Sequence, residues 1–159
     1  MEIDFLITSF VALFVIIDPI GLTPLSVALT QGMSAKARRK FTIRAIGVAF
    51  FVLMLFALFG ETVLGFVGIS MPAFRVAGGI LLFLTALDML FQRRTKRRED
   101  RSEEEADDPS VFPLAIPLIA GPGSITTIIL IAGALPGPIG LASAGLLALA
   151  GLITVFIFF

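Results

Sequence analysis

The chain of 159 residues contains no cysteine, histidine, tryptophan or tyrosine. Without cysteine and histidine it has no disulfide, no thiolate nucleophile, no imidazole metal ligand and no serine–histidine pair. Charged residues are also scarce, at 15% of the chain compared with about a quarter of an ordinary soluble domain. We therefore expect no enzyme, no metal site and no cofactor. Because no basic stripe carries interleaved aromatic residues, we also expect no nucleic-acid partner.

Hydrophobic residues are abundant instead, at 57% of the chain, and the mean hydropathy is +1.03. A membrane-spanning helix needs about 20 predominantly apolar residues. Five stretches meet that length, and they lie at residues 5–30, 42–60, 72–91, 112–133 and 139–159. The sequence therefore predicts an all-α, polytopic membrane protein in contact with the lipid bilayer.

The first apolar stretch is interrupted by the sequence DPIG at residues 18–21, and Pro24 follows. Proline removes a backbone donor, glycine weakens a helix, and a carboxylate at bilayer depth is costly. Non-helical backbone is tolerated at that depth only where it is buried in protein or lines a cavity. The stretch is therefore predicted to be a broken transmembrane helix with a polar site at its break.

The fourth stretch repeats this design, with the sequence AGPGS at residues 120–124 between two apolar runs. Aligning the two breaks sets Thr23 against Thr126. In secondary transporters, paired segments interrupted by proline or glycine at matching positions of two halves indicate the substrate site. The second half-helices are predicted to begin near Leu22 and near Ser124.

Basic residues cluster at 36–40, in the predicted loop at 31–40, and at 93–98, and Ser34 is the predicted N-cap of the helix that follows. Short loops rich in lysine and arginine stay on the cytoplasmic side, so the N-terminus is predicted to lie outside a plasma (inner) membrane. An odd number of spans per half then gives inverted-topology repeats. The predicted division is a first repeat at 1–91, a charged cytoplasmic linker at 92–110, and a second repeat at 111–159 that lacks its third span.

Three motifs, in this order along the chain, resemble those of the MarC family of integral membrane proteins. They are DPIG at 18–21 with Pro24 and Thr30, GGIL at 78–81, and FPLAIP at 112–117 followed by GPG at 121–123. The family includes SnatA-type transporters of small neutral amino acids. The resemblance implies six spans, of which the first and fourth are broken, and we expect the sixth span to be missing from this sequence.

An amino-acid substrate carries a carboxylate and an ammonium group. Unpaired N–H groups at helix N-termini suit the carboxylate, hydroxyls add donors, and glycines let the backbone approach the ligand. Carbonyl groups and Asp18 suit the ammonium group or a coupling cation. The predicted substrate-binding residues are Asp18, Pro19, Gly21, Thr23, Gly121, Gly123, Ser124, Thr126 and Thr127. Two structural roles remain open beside these, namely that Asp18 only caps a helix and that the hydroxyls only satisfy backbone freed by Pro122.

The leading hypothesis is a secondary transporter that moves small neutral amino acids, such as glycine or alanine, by alternating access. Coupling to a Na⁺ or H⁺ gradient is expected. The alternatives are a non-transporting or truncated membrane scaffold and a drug or metabolite efflux protein. Assembly into a homo-oligomer is left open.

Overall fold

The computed structural model describes residues 2–91 and 110–159, and every regular element in these residues is helical. The elements are α1 (Glu2–Ile17), α2 (Pro19–Leu29), α3 (Ala35–Val67), α4 (Met71–Leu90), a π-helix (Ser110–Ile119), α5 (Pro122–Ala132) and α6 (Pro138–Phe158). The predicted charged linker lies outside the described residues, apart from Ser110.

The predicted class, an all-α polytopic membrane protein, is confirmed. Within residues 2–91 and 110–159, four helical stretches are long and apolar enough to cross a bilayer, namely Ile3–Leu29, Ala35–Val67, Met71–Asp88 and Pro138–Phe158. The first of these joins α1 and α2 across the interruption. Large apolar side chains are exposed along these stretches, including Phe51 at 68% and Ile157 at 73%, as expected for surfaces that face lipid.

The second span is longer than its apolar stretch at 42–60 indicates, because α3 has 33 residues. Ser34 caps its start as predicted, since its hydroxyl accepts a hydrogen bond from the Ala37 N–H at 3.3 Å. The basic cluster that follows belongs to the helix rather than to a loop, because lysine and arginine are good helix formers. The helix ends at Gly68, whose positive φ of 81° forms the C-cap.

Helix α5 lies at the centre of the described bundle and contacts α1, α3, α4 and α6. Its buried residues are Gly123, Ser124, Thr126, Thr127, Ile128, Ile129 and Ile131. Helix α6 is the second central element and also contacts α1, α2 and α3. Helices from the two predicted repeats therefore interlock around α5 and α6.

Small residues let these helices approach one another closely, which is the usual way that membrane helices gain packing energy. A Cβ atom added at Gly60 of α3 would lie 2.6 Å from Cγ1 of Ile129 in α5. On α4, Gly78 is the single buried position among the side chains that the structure describes. These glycines set the distances at which α3 and α4 pack on α5.

Candidate substrate site at the two helix interruptions

The first interruption is one residue long. Helix α1 ends at Ile17, α2 begins at Pro19, and Asp18 between them has a left-handed conformation with φ 55° and ψ 64°. Its carboxylate accepts a hydrogen bond from the Gly21 N–H at 3.1 Å and so caps α2. The capping role of Asp18 is thus observed, whereas its role toward a ligand stays a prediction.

Backbone hydrogen bonds continue through this first interruption. The Asp18 N–H donates to the Phe14 carbonyl at 2.9 Å, and the Asp18 carbonyl accepts from Leu22 at 3.0 Å. Helix α2 therefore begins at Pro19, three residues before the predicted start, because proline is preorganised for the first helical position. The hydroxyl of Thr23 donates to the Pro19 carbonyl at 2.9 Å, one turn earlier in the same helix.

The second interruption is built differently. The π-helix before it ends at Ile119, the Ile116–Pro117 peptide bond within it is cis, and α5 begins at Pro122. Gly121 has an extended conformation, with φ −91° and ψ 175°, and no side chain caps α5. A Cβ atom at Gly121 would collide with the carbonyl oxygen of Pro117, so this position requires glycine.

Three hydroxyl side chains follow this interruption, and all three are buried. The Ser124 hydroxyl donates to the Ile119 carbonyl at 2.8 Å, which links α5 to the end of the π-helix. The Thr127 hydroxyl donates to the Gly123 carbonyl at 2.9 Å. These two side chains thus satisfy backbone carbonyls, which is the structural role left open for them by the sequence.

Thr126 differs from its two neighbours. Its side chain is 6% exposed, and its hydroxyl makes no hydrogen bond to any part of the chain that the structure describes. Its methyl group packs against α4, because a Cβ atom added at Gly78 would lie 2.6 Å from Cγ2 of Thr126. A buried hydroxyl without a partner loses about 1–3 kcal/mol of hydration, so a hydrogen-bonding partner for it would be favourable.

The second interruption lies against the end of α1. A Cβ atom at Gly123 would be 3.0 Å from Cγ2 of Ile16 and 4.0 Å from the Thr85 hydroxyl oxygen of α4. Ile16 is two residues before Asp18, so the two interruptions are neighbours in the bundle. Beyond them both half-helices contact α6, and α5 also contacts α1, α3 and α4.

The nine predicted site residues therefore fall into two groups. Those of the first interruption are half-buried, apart from the buried Pro19, and those of the second are all buried. The sequence reasoning did not identify the contacts of Ile16 and Thr85 with the second interruption. Nothing in the sequence marks Thr85 as a neighbour of Gly123, because this contact depends on how the helices pack. The Thr85 hydroxyl itself donates within its own helix, to the Leu81 carbonyl at 2.8 Å.

A cavity lies away from the two interruptions, between α3 and the turn that joins α5 to α6. Its volume is about 630 Å³, and Glu61, Thr62 and Gly133 are among its lining residues. None of the nine predicted site residues lines it. We therefore locate the candidate site by the interruptions and not by cavity size.

Comparison with known proteins supports the family. The family model for MarC family integral membrane proteins matches residues 3–159. The chain is 48% identical to UPF0056 membrane protein MJ0972 of Methanocaldococcus jannaschii over 129 residues, which cover 79% of this chain and 57% of that protein. It is 34% identical to UPF0056 membrane protein YvbG of Bacillus subtilis, over 100% of this chain and 78% of that protein.

The chain spans 57%, 63% and 60% of the lengths of three relatives that it matches. No solved structure matches it. The resemblance carried by the three sequence motifs is confirmed by these matches. This chain belongs to the MarC family of integral membrane proteins.

Proposed function

We propose that this protein is a secondary transporter of small neutral amino acids, such as glycine and alanine, which works by alternating access in the plasma membrane. In this proposal the N-terminus lies outside, and transport is coupled to a Na⁺ or H⁺ gradient. The substrate binds where the start of α5 meets the end of α1, beside Asp18.

The observation that carries the proposal is the buried Thr126 hydroxyl, which has no partner among the residues that the structure describes. It lies in a helix whose first turn has no side-chain cap, so unpaired N–H groups and a free hydroxyl occur within two turns of each other. A substrate carboxylate would accept hydrogen bonds from both kinds of donor. The positive end of the α5 dipole favours the same negative charge.

The size and charge of the region support a small zwitterion. Gly121 and Gly123 allow the backbone to approach a ligand, while Ile16 lies close enough to Gly123 to leave little room for a bulky molecule. Asp18 supplies a carboxylate for an ammonium group or for a coupling cation. This combination is better suited to glycine or alanine than to a large amphipathic drug.

The test is uptake of radiolabelled glycine and alanine into proteoliposomes that contain the purified chain, with Na⁺ and H⁺ gradients imposed separately. We expect uptake above that of protein-free liposomes, and we expect it to depend on one of the gradients. Unchanged uptake of both amino acids relative to empty liposomes, with folded protein present, would contradict the proposal. A labelled lipophilic cation, tested in the same vesicles, distinguishes amino-acid transport from drug efflux.

Thr126→Val removes the hydroxyl and keeps the shape of the side chain. We expect it to raise the KM for glycine by about 10- to 100-fold, because a hydrogen bond to a charged group contributes about 1.5–3 kcal/mol. The matched control is Thr42→Val, since the buried Thr42 hydroxyl already donates to the Arg38 carbonyl at 3.1 Å. Equal KM values for the two variants would remove Thr126 from the substrate site.

A further inference from the structure

The first turns of α3 carry a dense group of positive charges, here called the basic rim, which consists of Lys36, Arg38, Arg39 and Lys40. All four side chains are exposed, and none has an ion pair or a hydrogen bond to any residue in 2–91 or 110–159. The first turn of α3 contains no acidic residue. Within the described chain, the basic rim therefore lacks a negative partner.

The basic rim lies at the end of α3 where positive charge is least favourable. The helix dipole places partial positive charge at the N-terminus, so anions stabilise that end of a helix and cations destabilise it. Ser34 caps this end through the Ala37 N–H, but its hydroxyl carries no charge. An anion bound at the basic rim would therefore neutralise the side chains and stabilise the start of the helix.

The length of α3 places the basic rim at the depth of lipid headgroups. Arg44 and Glu61 are the charged residues on either side of the apolar run, and the helix rises about 26 Å between them, close to the hydrocarbon thickness of a bilayer. The basic rim lies four to eight residues before Arg44, which is about 6–12 Å further along the axis. Headgroups occupy about 5–8 Å on each side of the hydrocarbon core. The anions nearest to the basic rim are therefore lipid phosphates.

A groove of about 220 Å³ opens beside the basic rim, between the start of α3 and the end of α6. Arg38 and Arg39 of α3 line it, and so does Phe156 of α6, which is 42% exposed. Two guanidinium groups thus lie beside an apolar side chain that faces the bilayer. This combination matches a phospholipid, whose charged phosphate is joined to an acyl chain.

We propose that this groove binds an anionic phospholipid, with the headgroup phosphate at Arg38 and Arg39 and the start of an acyl chain against Phe156. Guanidinium groups suit this role because they donate paired N–H groups to two phosphate oxygens. Basic pockets between membrane helices are suited to anionic headgroups for the same reason. The proposal does not rest on the transport function proposed above.

The test is native mass spectrometry of the purified chain, released from vesicles of equimolar phosphatidylglycerol and phosphatidylcholine. We expect the chain to retain phosphatidylglycerol in preference to phosphatidylcholine. Arg38→Gln combined with Arg39→Gln should lower the ratio of the two retained lipids by about 10- to 30-fold, the effect expected for two basic residues at a membrane surface. Because both side chains are exposed, circular dichroism should show the same helix content as the parent.

Two matched pairs of substitutions distinguish a site from diffuse attraction. Lys36→Gln with Lys40→Gln removes the same charge from the same helix, but neither lysine lines this groove. Arg38→Lys with Arg39→Lys keeps the charge and removes the paired donors. We expect the first pair to lower the lipid ratio by less than the arginine-to-glutamine pair, and the second to lower it by about 3-fold.

Thermal unfolding gives a second measurement, because a ligand that binds the folded state stabilises it. Phosphatidylglycerol added to phosphatidylcholine bicelles should raise the Tm of the parent and not that of the arginine-to-glutamine pair. Glycerol phosphate carries the phosphate without an acyl chain and should not raise the Tm. An equal rise with glycerol phosphate would show a site for a free anion and would overturn the lipid assignment.

Three results from the mass spectra would also overturn the proposal. The first is equal retention of both lipids by the parent, and the second is an equal loss in the arginine-to-glutamine and lysine-to-glutamine pairs. The third concerns the acidic residues at 103–105 of the linker. If phosphatidylglycerol is preferred only after Glu103→Gln, Glu104→Gln and Glu105→Gln are combined, the chain's own carboxylates occupy the groove in place of a lipid.

Discussion

The two interruptions contain similar residues, but they differ in what satisfies the start of the following helix. At the first, the Asp18 carboxylate accepts from the Gly21 N–H at 3.1 Å, and the protein itself provides the cap. At the second, no side chain caps α5, although its first turns are buried among four other elements. If the proposed substrate site is correct, this difference favours the second interruption as the part that offers donors to the ligand.

The two interruptions also differ in how firmly they are held. Helix α2 exposes Ile20 at 60% and Val27 at 54%, whereas α5 buries most of its side chains. The Ser124 hydroxyl bridges from α5 back to the π-helix, across the break in the backbone. We therefore expect substitutions at the second interruption to cost more stability than substitutions at the first.

The largest expected effect is that of Gly121→Ala. The added methyl group would collide with the Pro117 carbonyl oxygen, so the backbone must shift at a buried position. We expect a loss of about 3 kcal/mol or more, or no folded protein, because overpacking typically costs about 1–3 kcal/mol and occasionally more. Since the chain has no tryptophan or tyrosine, unfolding is followed by circular dichroism during titration with sodium dodecyl sulfate.

Gly47→Ala is the matched control for that experiment. Gly47 lies within α3, and nothing lies within 4 Å of an added Cβ atom. Alanine there should stabilise the helix by about 0.5–1 kcal/mol. If Gly121→Ala and Gly47→Ala change the free energy of unfolding equally, the second interruption is packed less tightly than the structure indicates, and it is not held more firmly than the first.

The sequence predicted the class of this fold because the interruptions and the apolar runs are local features. The positions of proline, glycine and Asp18 locate both breaks without knowledge of the tertiary structure. The length of α3 could not be predicted from hydropathy, because its ends extend past the apolar run and are set by Ser34 and Gly68. Capping and helix propensity decide such ends.

The candidate site was predictable only in part, for a different reason. Sequence alone cannot separate Thr126 from Thr127, since both are buried threonines in one helix. Only the packing shows that Thr127 donates to the Gly123 carbonyl while the Thr126 hydroxyl lacks a partner in the described chain.

A smaller effect is expected where α4 packs on α5. In Gly78→Ala the new methyl group would lie 2.6 Å from Cγ2 of Thr126, and we expect a loss of about 1–3 kcal/mol. Thr126→Ser removes that methyl group, so the double variant should regain much of the loss. Gly79→Ala is the control, because nothing lies within 4 Å of its added Cβ atom. Additive losses in the double variant would show that the two residues do not share this contact.

The smallest effects on stability are expected at Asp18. Two substitutions there separate the capping role of the side chain from the role of its negative charge. Asp18→Ala removes the acceptor for the Gly21 N–H, and loss of an N-cap costs about 0.5–2 kcal/mol. Asp18→Asn keeps an acceptor oxygen and a residue that tolerates the left-handed conformation, so its stability should change by less than about 0.5 kcal/mol.

Glycine uptake by Asp18→Ala and Asp18→Asn should not follow the order of their stabilities. If the carboxylate charge binds the substrate ammonium group or a coupling cation, Asp18→Asn should lose glycine uptake while it remains as stable as the parent. Full uptake by Asp18→Asn would limit the residue to its capping role and leave the second interruption as the ligand site. If Asp18→Asn is instead as unstable as Asp18→Ala, the negative charge itself stabilises the fold. An uncharged acceptor oxygen would then not be sufficient to cap α2 at the first interruption.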